Sequence, residues 1–189
     1  MRHFVEAQAI VVDKSLVAKA KQFARRVTPT VGTPGTGYRD TNQSNLPKVE
    51  YDHFISKIGE EAVRIIFQQL NCKVQGPDYQ IYDAKEKSWD SDLCINDLGL
   101  AVKTQASLSA KKFGESWTFQ SGVYRKDPIL NQPDAWVCFV SVNDVTYQCK
   151  VYPPYQIKEL KFGEPRRNYL KGSKKVVYAA SLPLAQTVA

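Results

Sequence analysis

Apolar residues follow two patterns along this chain, and the change from one to the other predicts its organisation. From Lys14 to Val27, residues Leu16, Val17, Ala20, Phe23, Ala24 and Val27 form one helical stripe with a basic opposite face. From Val49 to Leu70, residues Phe54, Ile55, Ile58, Ala62, Ile65, Ile66 and Gln69 share one side at about 100° per residue, which predicts the strongest helix. After Gly76-Pro77 the pattern changes to short β-branched and aromatic runs. Those at Tyr79–Tyr82, Ser91–Ile95, Leu100–Thr104, Trp117–Gln120, Trp136–Val142, Val145–Tyr152 and Lys174–Ala179 read as strands. Phe4–Val12 fits either a strand or the start of a helix, and Tyr155–Leu160, behind Pro153-Pro154, reads as a short helix. Residues 28–47 hold three Pro and three Gly among small polar residues, which predicts a long loop. Helices, then strands, then a mixed tail predict an α+β fold around an antiparallel or mixed sheet. The expected units are a basic N-terminal helix and loop (1–48), a core (49–152) and a basic C-terminal extension packed on it (153–189).

Composition narrows the function classes. The chain has 189 residues and is 43% hydrophobic, too apolar for a disordered tail. No apolar run approaches the roughly 18 residues of a transmembrane helix, so no membrane partner is expected. The start MRHFVEAQAIVVDKS carries Glu6 and Asp13 and no small-residue cleavage pattern, which argues against a secretory signal and for a cytoplasmic location. Cys72, Cys94, Cys138 and Cys149 form no C-x-x-C pair, and only His3 and His53 could join them. Buried free thiols in a reducing compartment are expected, not a zinc site.

The net charge of +7 is unevenly placed: +5 over residues 1–48, −3 over 49–150 and +5 over 151–189. Basic flanks around an acidic centre suit a chain that grips a polyanion at its edges and holds cations at its middle; a basic surface kept for solubility is the plainer alternative. In the tail, Arg166, Arg167, Lys171, Lys174 and Lys175 are interleaved with Tyr169 and Tyr178. That pattern suits contact with a nucleic-acid backbone, or a solvated basic hairpin. Gly32–Gly37 is glycine-rich but lacks the Lys-Ser/Thr of a phosphate loop, and no Gly-x-Ser-x-Gly or Ser/His/Asp set is present.

The segment Pro77–Gln105 carries the candidate chemistry. A loop at Asn96–Gly99 would pair Ile95 with Leu100, so that Asp92 faces Lys103 and Asp90 faces Gln105. Alternation then gathers Asp90, Asp92, Lys103 and Gln105 on one face, with opposed Cβ atoms about 5 Å apart, and turns Leu93, Ile95, Leu100 and Val102 to the core. Such a patch is either a site or an ordinary cross-strand ion pair on a solvated face.

An Asp-bearing strand, a turn and a strand ending in an apolar-x-Lys step resemble the active-site hairpin of the PD-(D/E)xK nuclease superfamily, the restriction-endonuclease-like fold. The resemblance covers Pro77–Gln105 and the preceding helix. It implies a central mixed sheet flanked by helices and an endonuclease that hydrolyses DNA phosphodiesters with Mg²⁺, or with Mn²⁺ as a substitute. It maps the metal-binding Asp to Asp92 and the Lys that assists the attacking water to Lys103. The acid expected two residues before the Lys is replaced by Ala101. Gln105, two residues on, and Glu61, on the shoulder of the helix's apolar face, are the expected substitutes at the metal, while Glu60 is expected to point toward solvent. Asp78 belongs to a literal Pro-Asp but starts a different segment, and is expected to be a turn residue. The expected partners are DNA and, as an open option, a second copy in a homodimer. A catalytically inactive DNA-binding module on the same fold is the alternative, with Ala101 marking lost catalysis.

Overall fold

The computed structural model describes residues 1–32, 44–82 and 91–185. In chain order the elements are β1 (Gln8–Val11), α1 (Lys14–Val27), α2 (Leu46–Gln69), β2 (Val74–Gln75), β3 (Leu93–Ile95), β4 (Leu98–Ala106), α3 (Ser107–Phe113), β5 (Ser116–Gln120), β6 (Trp136–Val142), β7 (Gln148–Val151), β8 (Tyr155–Gln156) and β9 (Lys174–Tyr178). Asp13 caps α1, its carboxylate accepting the Ser15 N–H at 2.7 Å, and Arg25 and Arg26 lie in the last turn, where cations suit the helix dipole. Asn45 caps α2 by accepting the Lys48 N–H at 3.1 Å, with Pro47 just inside the helix start.

The fold is α+β. Seven strands form one mixed sheet in the order β1-β7-β6-β4-β3-β2, with β8 also on β6; β4 and β6 run parallel and the remaining pairs are antiparallel. One face of the sheet presents Leu93, Ile95, Leu100, Val102, Val140, Val142 and Val151 to α1 and α2. The other presents Ala101, Val137 and Phe139 to the small β5–β9 sheet, where Trp117 stacks on Phe139 at 4.6 Å between centroids. Helices cover one side and a β-ribbon the other, which is why β6 is apolar on both faces along Val137–Val140.

The long contact between α2 and the sheet depends on one glycine. A Cβ on Gly59 would stand 1.9 Å from Thr104 Oγ1, so β4 lies directly against the helix backbone. The described residues contain no helix long and apolar enough to cross a membrane.

Several expected elements differ. Tyr79–Tyr82 is not a strand; it runs across the side of α2, with Tyr79 and Ile81 packed near Phe23 and Val27 of α1. Tyr155–Leu160 is a strand residue pair followed by a single 3-10 turn, Ile157–Glu159. Ser107–Phe113 forms a short helix that periodicity did not predict. Asp78 is a turn residue, as expected: its carboxylate accepts the Gln80 N–H at 2.8 Å and the Tyr82 hydroxyl at 2.6 Å. The Gly32–Gly37 motif, most of the expected 28–47 loop, and Asp90 lie outside the described residues.

Candidate active site

The hairpin turns on Asn96 and Asp97, at φ 47° and 66°, the left-handed pair a tight hairpin requires. Leu93 therefore pairs with Leu100 and Ile95 with Leu98, so the register differs by two residues from one with a loop at Asn96–Gly99. A shift of two preserves the faces. Leu93, Ile95, Leu100 and Val102 are buried toward the helices, and Lys103 and Gln105 stand on the opposite side. It does change partners. Continued by one residue, the register sets Asp92 opposite Ala101 rather than Lys103, and the Asp92 carboxylate accepts the Val102 N–H at 2.7 Å.

Lys103 forms its ion pair with a residue the sequence did not single out. Its ammonium donates to Asp127 Oδ2 at 2.8 Å and lies 4.8 Å from the centroid of Phe119. The same Asp127 oxygen accepts the Gln120 N–H at 3.2 Å, which ties the end of β5 to the Lys103 face of β4. Ala101, partly buried, packs against the aromatic cluster of β5 and β6.

Gln105 is not available as a ligand in this geometry. Its amide oxygen accepts the buried Ser116 N–H at 2.9 Å and its nitrogen donates to the Gly114 carbonyl at 3.1 Å. It is a bracket that fixes the start of β5 onto β4. The neighbouring row is also structural: Ser141, paired with Gln105 across the sheet, donates to Glu115, with the Lys150 ammonium 4.0 Å from that carboxylate. Burial and the Glu115 carboxylate hold the nearby Tyr152 phenol in its protonated form.

The two adjacent glutamates of α2 are both buried, including Glu60, expected to point toward solvent. Glu61 is buried, but its oxygens are committed: Arg64 Nε donates to one at 2.5 Å and the Tyr79 hydroxyl to the other at 2.9 Å. Glu60 does not point to solvent and is only 3% exposed. Lys57 donates to it at 2.6 Å and Ser56 at 3.2 Å. Burial pushes the Glu60 carboxyl up to about 7; Lys57 opposes that shift, and the Asp92 charge adds to it. Glu60 is therefore a buried acid, on which the Asp92 charge is a lesser influence than burial or Lys57. Helical angle alone missed it because α2 is covered beyond its sheet face. The Tyr79 ring and Phe23 of α1 stand 5.6 Å apart, and the Lys57 ammonium lies 5.2 Å from Phe23 and 5.5 Å from Tyr79.

Among the described residues, no cluster of three or more His, Cys, Asp and Glu side chains is placed to hold a metal. Two carboxylates remain candidates: Glu60, buried on α2, and Asp92, held by the Val102 N–H. Mg²⁺ is commonly held by one or two carboxylates, several waters and substrate phosphates, so hard oxygen donors of this kind fit it when substrate completes the shell.

The basic residues of the tail fall into two groups. Arg166 lies 5.5 Å from the Tyr178 ring and Arg167 5.3 Å from Phe113, so both stack at the corner between α3 and β5. Lys171, Lys174 and Lys175 lie where β9 begins, opposite the end of β5, with Gln120 paired to Lys174 and Phe119 to Lys175. No protein-family model matches the chain, and neither the curated proteins nor the solved structures contain a match to it.

Proposed function

We propose that this chain is a metal-dependent DNA endonuclease of the PD-(D/E)xK type, in which Glu60 takes the role first sought in Glu61 and Gln105. The observation that supports this most is the Asp92 carboxylate held on the β3–β4 hairpin by the Val102 N–H at 2.7 Å, with a second acid, Glu60, buried on α2. Burying an acid costs stability even with Lys57 as its counter-charge, and a perturbed buried carboxyl of this kind is a common mark of a functional site.

In this reading Asp92 and Glu60 supply the oxygen donors, and the Val102 N–H fixes the Asp92 carboxylate. Bound Mg²⁺ would neutralise a phosphodiester and lower the pKa of a water. Lys103, one residue beyond Val102, lies on the face of β4 away from α2 and supplies positive charge for a neighbouring phosphate of the bound strand, not for the water held near Glu60. Its ion pair with Asp127 holds the ammonium at a defined place before substrate arrives. The meander β2–β3–β4, followed by a parallel β6 and backed by α2, is compatible with the mixed sheet that the sequence resemblance implies.

The inactive DNA-binding module has one observation in its favour. Gln105 is consumed by backbone hydrogen bonds and position 101 is an alanine, so neither β4 position supplies a metal ligand. A cleavage assay on supercoiled DNA with Mg²⁺ or Mn²⁺ separates the two. Cutting by the wild-type chain that is lost in both Asp92→Asn and Glu60→Gln supports the nuclease. DNA binding without cutting under either cation supports the module.

A further inference from the structure

Next to Lys103 the chain makes a short excursion that the site itself does not use. It is closed at its base, where the Asp127 N–H donates to the Gln120 carbonyl at 2.9 Å and Ser121 bridges Lys126. At its tip, Val123 is 96% exposed and Tyr124 101% exposed. No other large apolar pair adjacent in sequence is so open among the described residues. The tip is braced from one side, because the Ser121 N–H donates to the Ser173 carbonyl at 2.9 Å and Gly122 lies against Ser173. That contact brings the turn carrying Lys171, Lys174 and Lys175 alongside Arg125 and Lys126.

The chemistry of this surface is specific. Five cations border an aliphatic and an aromatic side chain, and Asp127, the acid next to Lys126 in sequence, is spent on Lys103. Lys126 is partly held by Asn131 at 2.6 Å, while Arg125, Lys171 and Lys175 are exposed. A partner must therefore be polyanionic and must offer flat apolar faces. Nucleic acid does both, since phosphates meet the cations and a base meets the ring; an acidic peptide supplies only the charge.

We propose that the Gly122–Arg125 tip is a DNA-opening element, with Tyr124 stacking on an unpaired base and Val123 filling the gap beside it, close to the strand held at Lys103. It rests on the DNA partner proposed above and adds a preference for DNA with a weakened base step. Insertion of apolar side chains at a step requires unstacking, which costs least at a mismatch.

The test compares binding of the full chain, without divalent cation, to a matched duplex and to the same duplex with one mismatch beside 2-aminopurine. The expected result is roughly tenfold tighter binding to the mismatched duplex, the scale of one base–aromatic stack, with a change in 2-aminopurine fluorescence. Tyr124→Ala should abolish both the preference and the fluorescence change while matched-duplex affinity stays within about twofold, and Tyr124→Trp should keep them. Equal binding of both duplexes by the wild type, or a preference that survives Tyr124→Ala, overturns the stacking role and leaves the DNA partner standing. If the wild type binds neither duplex at low salt, or binds polyglutamate as tightly as DNA, both the tip assignment and the DNA reading fall.

Discussion

Gly59 and Thr104 are in such close contact that a Cβ on the glycine would fall 1.9 Å from the threonine hydroxyl oxygen and 2.9 Å from its Cβ. This is the point where α2 meets β4, and it sets the height of Glu60, the next residue, above the hairpin. In an open helix, Gly→Ala would gain up to about 1 kcal/mol from propensity. Here overpacking outweighs that gain, and Gly59→Ala should destabilise the chain by about 1–3 kcal/mol. Urea denaturation measures it. Combining it with Thr104→Ala, which removes the nearest atoms, should recover part of the loss as a positive coupling in a double-mutant cycle. Additive losses would mean the contact is looser than described.

Glu60 gives stability a distinctive pH dependence. Its carboxyl is raised from 4.5 to about 7 in the fold, chiefly by burial. Between those values the unfolded chain has released the proton and the folded chain still holds it. Stability from this group is therefore full below about pH 4.5, falls as pH rises, and is lost above about 7. The upper bound is about 3 kcal/mol from the linkage of pKa to folding. Glu60→Gln should flatten that part of the profile, read as unfolding free energy between pH 4.5 and 8. Added Mg²⁺ at pH 8 should raise the wild-type melting temperature and leave those of Glu60→Gln and Asp92→Asn unmoved, because ligand binding stabilises only the competent native state.

How far the sequence carries can be read from individual residues. The α1 and α2 stripes were legible because they are long and periodic, and the buried face of the hairpin was legible because alternation survives a shift of two residues. The register was not, because Asn96-Asp97 and Asn96–Gly99 are both plausible turns until backbone angles are known. Gly99, read as part of the turn, is a strand residue whose missing Cβ leaves room for Ser91, whose Oγ stands 2.6 Å from the Cβ position. The unexpected burial of Glu60 has a similar origin. An amphipathic stripe describes one packing surface, and α2 has others, supplied by α1 and by residues 77–82. Asp127 was invisible for a different reason: it reaches Lys103 across 24 residues, a distance no local pattern encodes.

The adjacent glutamates should separate by assay. Glu60→Gln and Asp92→Asn should each lower cleavage by more than about a hundredfold, beyond the 10–100-fold usual for outer partners of metal ligands. DNA affinity should be little changed, since the loss falls on the transition state. Glu61→Gln should instead cost about 1–3 kcal/mol of stability, because Arg64 loses its counter-charge in a partly buried position. Its cleavage per folded molecule should stay near wild type. The reverse ordering would return Glu61 to the metal and remove Glu60.

Gln105→Ala tests the bracket between β4 and β5. The substitution leaves the buried Ser116 N–H without its acceptor and the Gly114 carbonyl without its amide donor. An unsatisfied buried amide costs about 1–3 kcal/mol, and the melting temperature should fall accordingly. Gln105→Glu keeps an acceptor for Ser116 but sets a carboxylate against the Gly114 carbonyl, so it should be destabilising as well. Mg²⁺ affinity should be the same in wild type and Gln105→Ala; a clear weakening would make the amide a ligand after all.

Lys103 and Asp127 form a half-exposed pair, with side chains 28% and 23% accessible. If Lys103 meets a phosphate, it must exchange one anion for another, and Asp127 competes with the substrate. Asp127→Asn removes the charge and keeps an amide oxygen able to accept the Gln120 N–H, so the base of the Gly122–Arg125 tip should hold. DNA binding should then tighten by several-fold at low salt, and the salt dependence should steepen by roughly one phosphate contact, about 0.9 in the log–log slope. Lys103→Ala should move the slope the other way, and the double variant should match Lys103→Ala, because the aspartate acts only through the lysine. Anisotropy titrations across a salt series give all three slopes. Unchanged slopes in both single variants would make the pair a structural tie between β4 and β5, and would take Lys103 out of the phosphate site.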